Sequence, residues 1–123
     1  MSLWNALLNS IAAWRHLISH ERAFRQEVFL LVVSAPLGWI LAEDAGHFTM
    51  LVGSLVILMV VETLNTGIEA ACNAVTREFH QDIKLAKDCG SLAVLLVLLL
   101  AGGVWITAAY NYLMARYPLL LIL

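Results

Sequence analysis

The chain has 123 residues, 62% of them hydrophobic and 13% charged, with a formal net charge of −2. This is the balance of a membrane protein, and the length supports one domain over residues 1–123. So small a net charge excludes a general electrostatic surface of the kind that binds nucleic acid.

Residues 2–20 open the chain with Leu3, Leu7, Ile11, Trp14 and Leu17 or Ile18 at helical spacing, and with Asn5, Asn9, Arg15 and His16 elsewhere. The pattern predicts an amphipathic helix lying on a membrane surface, for which a plain anchor is the simplest role. Residues 28–42 carry no charge and form a first span of about 22 Å against an apolar bilayer core of roughly 30 Å. It must borrow length from Arg25 and Glu27, and Pro36 with Gly38 is expected to kink it. Residues 48–76 form a second helix of about 43 Å, uncharged up to Glu62, that should protrude from the membrane. Residues 91–110 give a third span of about 30 Å, while residues 119–123 are too few for another. Trp39, Trp105, Tyr110, Tyr112 and Tyr117 fall near span ends, where aromatic belts are the default explanation.

Arg15, Arg22 and Arg25 precede the first span, and Arg77, Lys84 and Lys87 lie between the second and third. The connection at residues 43–47 has no Lys or Arg, so the positive-inside rule places the N-terminus and residues 77–90 in the cytoplasm and the C-terminus outside. No basic, apolar and small-residue succession marks a signal peptide at the N-terminus, which is read as mature protein. Cys72 and Cys89 form no C-x-x-C and are expected as free thiols. His16 and His20, four residues apart, are read as a solvated face rather than metal ligands.

One helix face carries the chemistry. Glu62, Asn65 and Glu69 lie within about 60° of one another around the helix axis, so an acidic stripe ends the second span. An ionisable group within a bilayer costs roughly 2.5 to 3.5 kcal/mol on insertion scales, and such groups usually face a bundle interior or a substrate. Counted inward from Phe48, Glu62 is about 21 Å deep, Asn65 about 26 Å and Glu69 about 32 Å, so the stripe meets the inner boundary. Glu21, Arg22, Arg25 and Glu27 reach the same level before the first span, as do Lys87 and Asp88 before the third.

This charged layer has the parts for phosphoryl transfer to a membrane-borne alcohol. Two carboxylates can hold Mg²⁺ on a nucleotide, a lysine can neutralise phosphate charge, and a further carboxylate can take the hydroxyl proton. The chain has no G-x-x-x-x-G-K-[ST] loop and no protein-kinase signature set, so a nucleotide site must be built from helix faces and loops. On the residues alone, a small transporter or proton-relay subunit using Glu62 and Glu69 stands beside the lipid-directed enzyme.

Four motifs then resemble the prokaryotic diacylglycerol kinase family: Glu21-Arg22-Ala23-Phe24-Arg25-Gln26-Glu27, Glu62-x-Leu64-Asn65-Thr66-x-Ile68-Glu69, Glu78-Phe79-His80 and Ala86-Lys87-Asp88-x-Gly90-Ser91. Their order and spacing extend over about residues 15–95. The resemblance implies an all-α membrane protein with a surface helix and three transmembrane helices, a homotrimer in the bacterial inner membrane that phosphorylates diacylglycerol with Mg-ATP at sites shared between subunits. It implies Glu62 as catalytic base, Glu21 and Glu69 as metal-linked carboxylates, and Asn65 as a member of the same site. Glu78, His80, Lys87 and Asp88 resemble nucleotide contacts, joining Glu21, Asn65 and Glu69 around ATP. Arg15, Ala23, Phe24, Arg25, Gln26, Glu27, Ser91 and Trp105 resemble positions near the lipid.

Simpler readings stand beside these. Glu62 can be a buried, protonated acid bonding across helices; Glu21 and Arg25, four apart, can form a surface pair; Lys87-Asp88 can be the polar start of the third helix. Asn73 stands where the family often has an acid, Gly67 adds flexibility to the motif helix, and the first ~14 residues depart from the family pattern. Gly53, Ser54 and Gly67 are small enough to let helices approach closely. Gln26-Glu27 after Phe24-Arg25 leans toward diacylglycerol, while related kinases act on undecaprenol.

Overall fold

A computed structural model describes residues 2–122, all of its regular structure helical. Helix α1 runs Leu3–His20, α2 Arg22–Leu41, α3 Ala45–Val75 and α4 Gln81–Arg116, followed by a 3₁₀ turn over Pro118–Leu121. Helices α1, α3 and α4 start where side chains supply acceptors for free N–H groups of the first turn, whereas α2 has no side-chain cap. Ser2 Oγ accepts from Asn5 N, Asp44 Oδ1 from His47 N at 2.7 Å, and His80 Nδ1 from Asp82 N at 3.2 Å.

Helices α2, α3 and α4 are the three long and apolar enough to cross a membrane, and α1 is the short amphipathic fourth. At 1.5 Å per residue α2 is about 30 Å long, α3 about 46 Å and α4 about 54 Å, so only α2 matches the apolar thickness. The third membrane helix begins at Gln81, ten residues before the expected 91, because its first turns are polar and add nothing to hydropathy. They are helical through the His80 cap and the Lys84–Asp88 ion pair at 2.6 Å, one turn apart. Pro36 sits within the continuous α2.

Helices α3 and α4 pack antiparallel. Trp105 Nε1 donates to Leu51 O at 2.9 Å and to Ser54 Oγ at 3.2 Å, and Lys87 Nζ donates to Asn73 Oδ1 at 2.8 Å. Trp105 is therefore a helix-packing residue rather than the belt aromatic expected from its place in the sequence. Gly38 has its reason in the same region: a Cβ there would stand 3.4 Å from the Phe48 ring and 3.5 Å from Trp105. Gly53 and Gly67, expected at helix contacts, meet nothing within 4 Å in this chain and lie on open faces.

Candidate active site

The site rests on a small core at the end of the bundle where α1 packs. Leu17 from α1, Phe24 from α2 and Met59 from α3 are buried together, flanked by Ile18, Val28 and Leu31. Trp14 closes on Phe24 edge-to-face at 5.1 Å. Phe24 and Met59 each precede a glutamate by one helical turn, so this core fixes Glu27 and Glu62. Both glutamates are only 9% exposed. They lie within electrostatic range of each other, and Glu62 also feels Glu21 and Glu69. Four carboxyls from the start of α2 and from α3 thus converge on one region.

A cavity of about 420 Å³ opens beside them, lined by His16, Glu21, Thr66, Glu69, Asn73 and Arg77 among others. The size is within the usual range for a small-molecule site. Among the described residues no three His, Cys, Asp or Glu side chains form a metal cage. Mg²⁺ does not need one, because it keeps waters and is usually held by one or two carboxylates together with substrate phosphates. Glu21 and Glu69, with the neutral hydroxyl oxygen of Thr66 nearby, are a donor set that fits this mode.

Asn65 is pressed against α4. Its Oδ1 is buried and without a hydrogen-bond partner among the described residues, as is Glu27 Oε2. A Cβ added to Gly90 would overlap Asn65 Oδ1 and stand 3.1 Å from its Cγ. Gly90→Ala is therefore expected to displace the carboxamide and to destabilise the protein by about 1–3 kcal/mol, the usual cost of overpacking. Thermal unfolding in detergent checks this, and Asn65→Ala in the same chain should recover most of the loss.

The remaining motif residues divide. Lys87 reaches the cavity wall through Asn73. Asp88 instead turns to Lys84, with 59% of its side chain exposed. Glu78 and His80 lie in the turn between α3 and α4: the Glu78 N–H donates to Thr76 Oγ1, and His80 Nδ1 accepts, which leaves the imidazole proton on Nε2. Arg25 does not pair with Glu21; its Nη1 donates to Ile18 O at 3.1 Å, where a cation meets free carbonyls at the end of α1. Phe24 faces the protein core, while Arg15, Ala23, Gln26 and Ser91 lie on the chain's surface, Ser91 directly after Gly90. Trp105 is level with Leu51, about 16 Å along α3 from Glu62, and lines an apolar groove of about 310 Å³ with Leu30, Leu37, Leu58 and Leu98. His16, Thr66, Asn73 and Arg77 belong to the cavity wall though the motifs single out only Thr66 among them; Asn73 and Arg77 follow Glu69 at four-residue steps, a signal the sequence does carry.

Three helices long and apolar enough to cross a membrane, with a polar cavity at one end of the bundle, are the features of a polytopic membrane protein. The family model for prokaryotic diacylglycerol kinase matches residues 8–109. The chain is 34% identical over 101 residues to a diacylglycerol kinase of Escherichia coli, covering 82% of this chain and 80% of that protein. It is 35% identical over 103 residues to one of Pseudomonas aeruginosa, covering 84% of each, and 31% identical over 103 residues to one of Haemophilus influenzae, covering 84% and 87%. The chain belongs to the prokaryotic diacylglycerol kinase family, and it is an enzyme of the kinase class.

Proposed function

We propose that this protein transfers the γ-phosphoryl group of ATP to the free hydroxyl of diacylglycerol, giving phosphatidic acid and ADP, at the cytoplasmic face of a bacterial inner membrane. The observation that carries the reading is the polar cavity holding Glu21 and Glu69 beside the buried Glu62, in a chain whose relatives are named for this reaction. The nucleotide enters from water, and the lipid hydroxyl arrives from the apolar side.

Glu62 acts as general base. As the lipid oxygen bonds to the γ-phosphorus and the bond to the β-phosphate oxygen breaks, the Glu62 carboxylate receives the hydroxyl proton. Glu21 and Glu69 would hold Mg²⁺, which when bound would supply positive charge to the phosphates. Asn65 is a polar member of the same site, and Lys87, His80, Glu78 and Asp88 are nucleotide contacts, with Lys87 offering its positive charge to the phosphates. Burial of Glu62 shields the transfer from competing water.

The lipid lies along the start of α2, near Arg15, Ala23, Phe24, Arg25, Gln26, Glu27 and Ser91, with Phe24 contributing from the core side by holding Glu27 in place. Trp105 meets the acyl chain further from the reacting hydroxyl, through the apolar groove between α2, α3 and α4. The protein works as a homotrimer whose sites are shared between subunits; the open faces at Gly53 and Gly67 suit close packing of a second copy. Basic residues concentrated around the start of α2 and around the α3–α4 turn favour a cytoplasmic site and an external C-terminus.

The purified protein in mixed micelles with Mg-ATP is expected to phosphorylate dioleoylglycerol in preference to undecaprenol, measured by transfer of labelled γ-phosphate to lipid. A preference for undecaprenol would replace the proposed substrate. No transfer to either lipid would remove the kinase reading.

A further inference from the structure

We infer that Asn73 is a positioning residue for phosphoryl transfer, its side-chain oxygen holding the Lys87 ammonium at the edge of the polar cavity. The inference rests on the proposed nucleotide site and adds to it a residue that the motifs do not include.

The contact joins two helices across 14 positions of sequence. Lys87 Nζ on α4 donates to Asn73 Oδ1 on α3 at 2.8 Å in a partly buried setting. Asn73 is on the cavity wall, one helical turn beyond Glu69, whereas Lys87 is behind it. A lysine side chain has many rotamers, and immobilising it carries an entropy cost that weakens any phosphate contact made by a free-swinging ammonium. A fixed acceptor on the neighbouring helix selects one direction before the nucleotide arrives. The ammonium has three donors, so bonding to Asn73 leaves two for phosphate oxygens.

The identity of the acceptor matters as well as its position. Lys84, one turn before Lys87, is neutralised by Asp88 in an exposed ion pair at 2.6 Å. Lys87 is held by a neutral amide and keeps its full positive charge toward the cavity. Of the two lysines on this stretch of α4, the one aimed at the cavity wall is the one whose partner carries no opposing charge. A residue at this position that fills space without an acceptor would leave the ammonium unanchored.

The experiment uses the full chain in mixed micelles and measures KM for Mg-ATP at saturating diacylglycerol, and KM for diacylglycerol at saturating Mg-ATP. Asn73→Leu, similar in size but without the acceptor, is expected to raise KM for Mg-ATP about tenfold, the scale of a lost charge-assisted hydrogen bond, with KM for lipid and the elution volume unchanged. Asn73→Asp, which restores an acceptor oxygen but sets an opposing charge against the ammonium, should recover only part of the loss, with KM for Mg-ATP between the wild-type and Asn73→Leu values. Lys87→Met should raise it at least as far as Asn73→Leu, and adding Asn73→Leu to Lys87→Met should have no further effect, since the two residues act through one contact. Effects that multiply independently, or equal shifts in both KM values, would overturn the inference. If Lys87→Met impairs Mg-ATP use and Asn73→Leu does not, only the role of Asn73 falls. If Lys87→Met leaves KM for Mg-ATP unchanged, Lys87 falls as a nucleotide contact and the inference falls with it. Should Asn73→Leu not fold, Asn73→Asp and Lys87→Met still decide, because a purely structural contact would lower stability in Lys87→Met without moving KM for Mg-ATP.

Discussion

Glu62→Gln is expected to stop phosphoryl transfer to diacylglycerol while the protein still folds and elutes at the same volume. Glutamine keeps the size and shape of the side chain, so the Leu17, Phe24 and Met59 cluster one turn away is undisturbed. It cannot accept the hydroxyl proton. Loss of a general base costs about 10²–10⁴-fold in rate, and here no neighbour can substitute without leaving its own place. Removing a charge from a crowded region should also leave thermal stability equal or higher, because Glu62 feels Glu21 and Glu69 while Glu27 feels Glu62. Labelled γ-phosphate transfer and thermal unfolding, measured on one preparation, check both halves. A mutant with wild-type turnover would remove Glu62 as the base.

Glu69→Gln has the second large effect and a different signature. Glu69 is on the wall of the cavity with Glu21, and its carboxylate is one of two suited to a hard cation. Its loss should lower kcat/KM for Mg-ATP by about 10²-fold, equivalent to roughly 2.7 kcal/mol of transition-state stabilisation, and raise the Mg²⁺ concentration needed for half-maximal activity. Glu21→Gln should move the Mg²⁺ requirement in the same direction. A titration of activity against Mg²⁺ at fixed ATP separates this from the Glu62 effect, which no concentration of metal restores. An unchanged Mg²⁺ profile in both carboxamide variants would take the metal away from these two residues.

The face shared by Glu62, Asn65 and Glu69 was legible in the sequence because helical spacing alone determines which residues of one helix point together. The membrane helices were legible from hydropathy, which records composition along a line. Hydropathy missed the first ten residues of α4, whose helical state comes from a histidine cap and a one-turn ion pair. It also placed Trp105 by depth and could not show that its N–H turns inward to Leu51 and Ser54. His16 joins the cavity only because the C-terminal end of α1 packs beside α3, a tertiary event with no mark in local pattern. Asn73 was readable in principle, lying on the same helical face as Glu69, and Arg77 by its four-residue spacing, though it falls just past the end of α3. A search confined to carboxylates passes over them.

The bond from Trp105 to Leu51 and Ser54 ties α3 to α4 far from the chemistry, and it acts as a ruler. Sliding either helix by one turn, about 5.4 Å, would break it and would also carry Asn65 away from Gly90 and Asn73 away from Lys87. The alignment of the polar groups is therefore guarded from about 16 Å further along α3, in an apolar region that holds none of them.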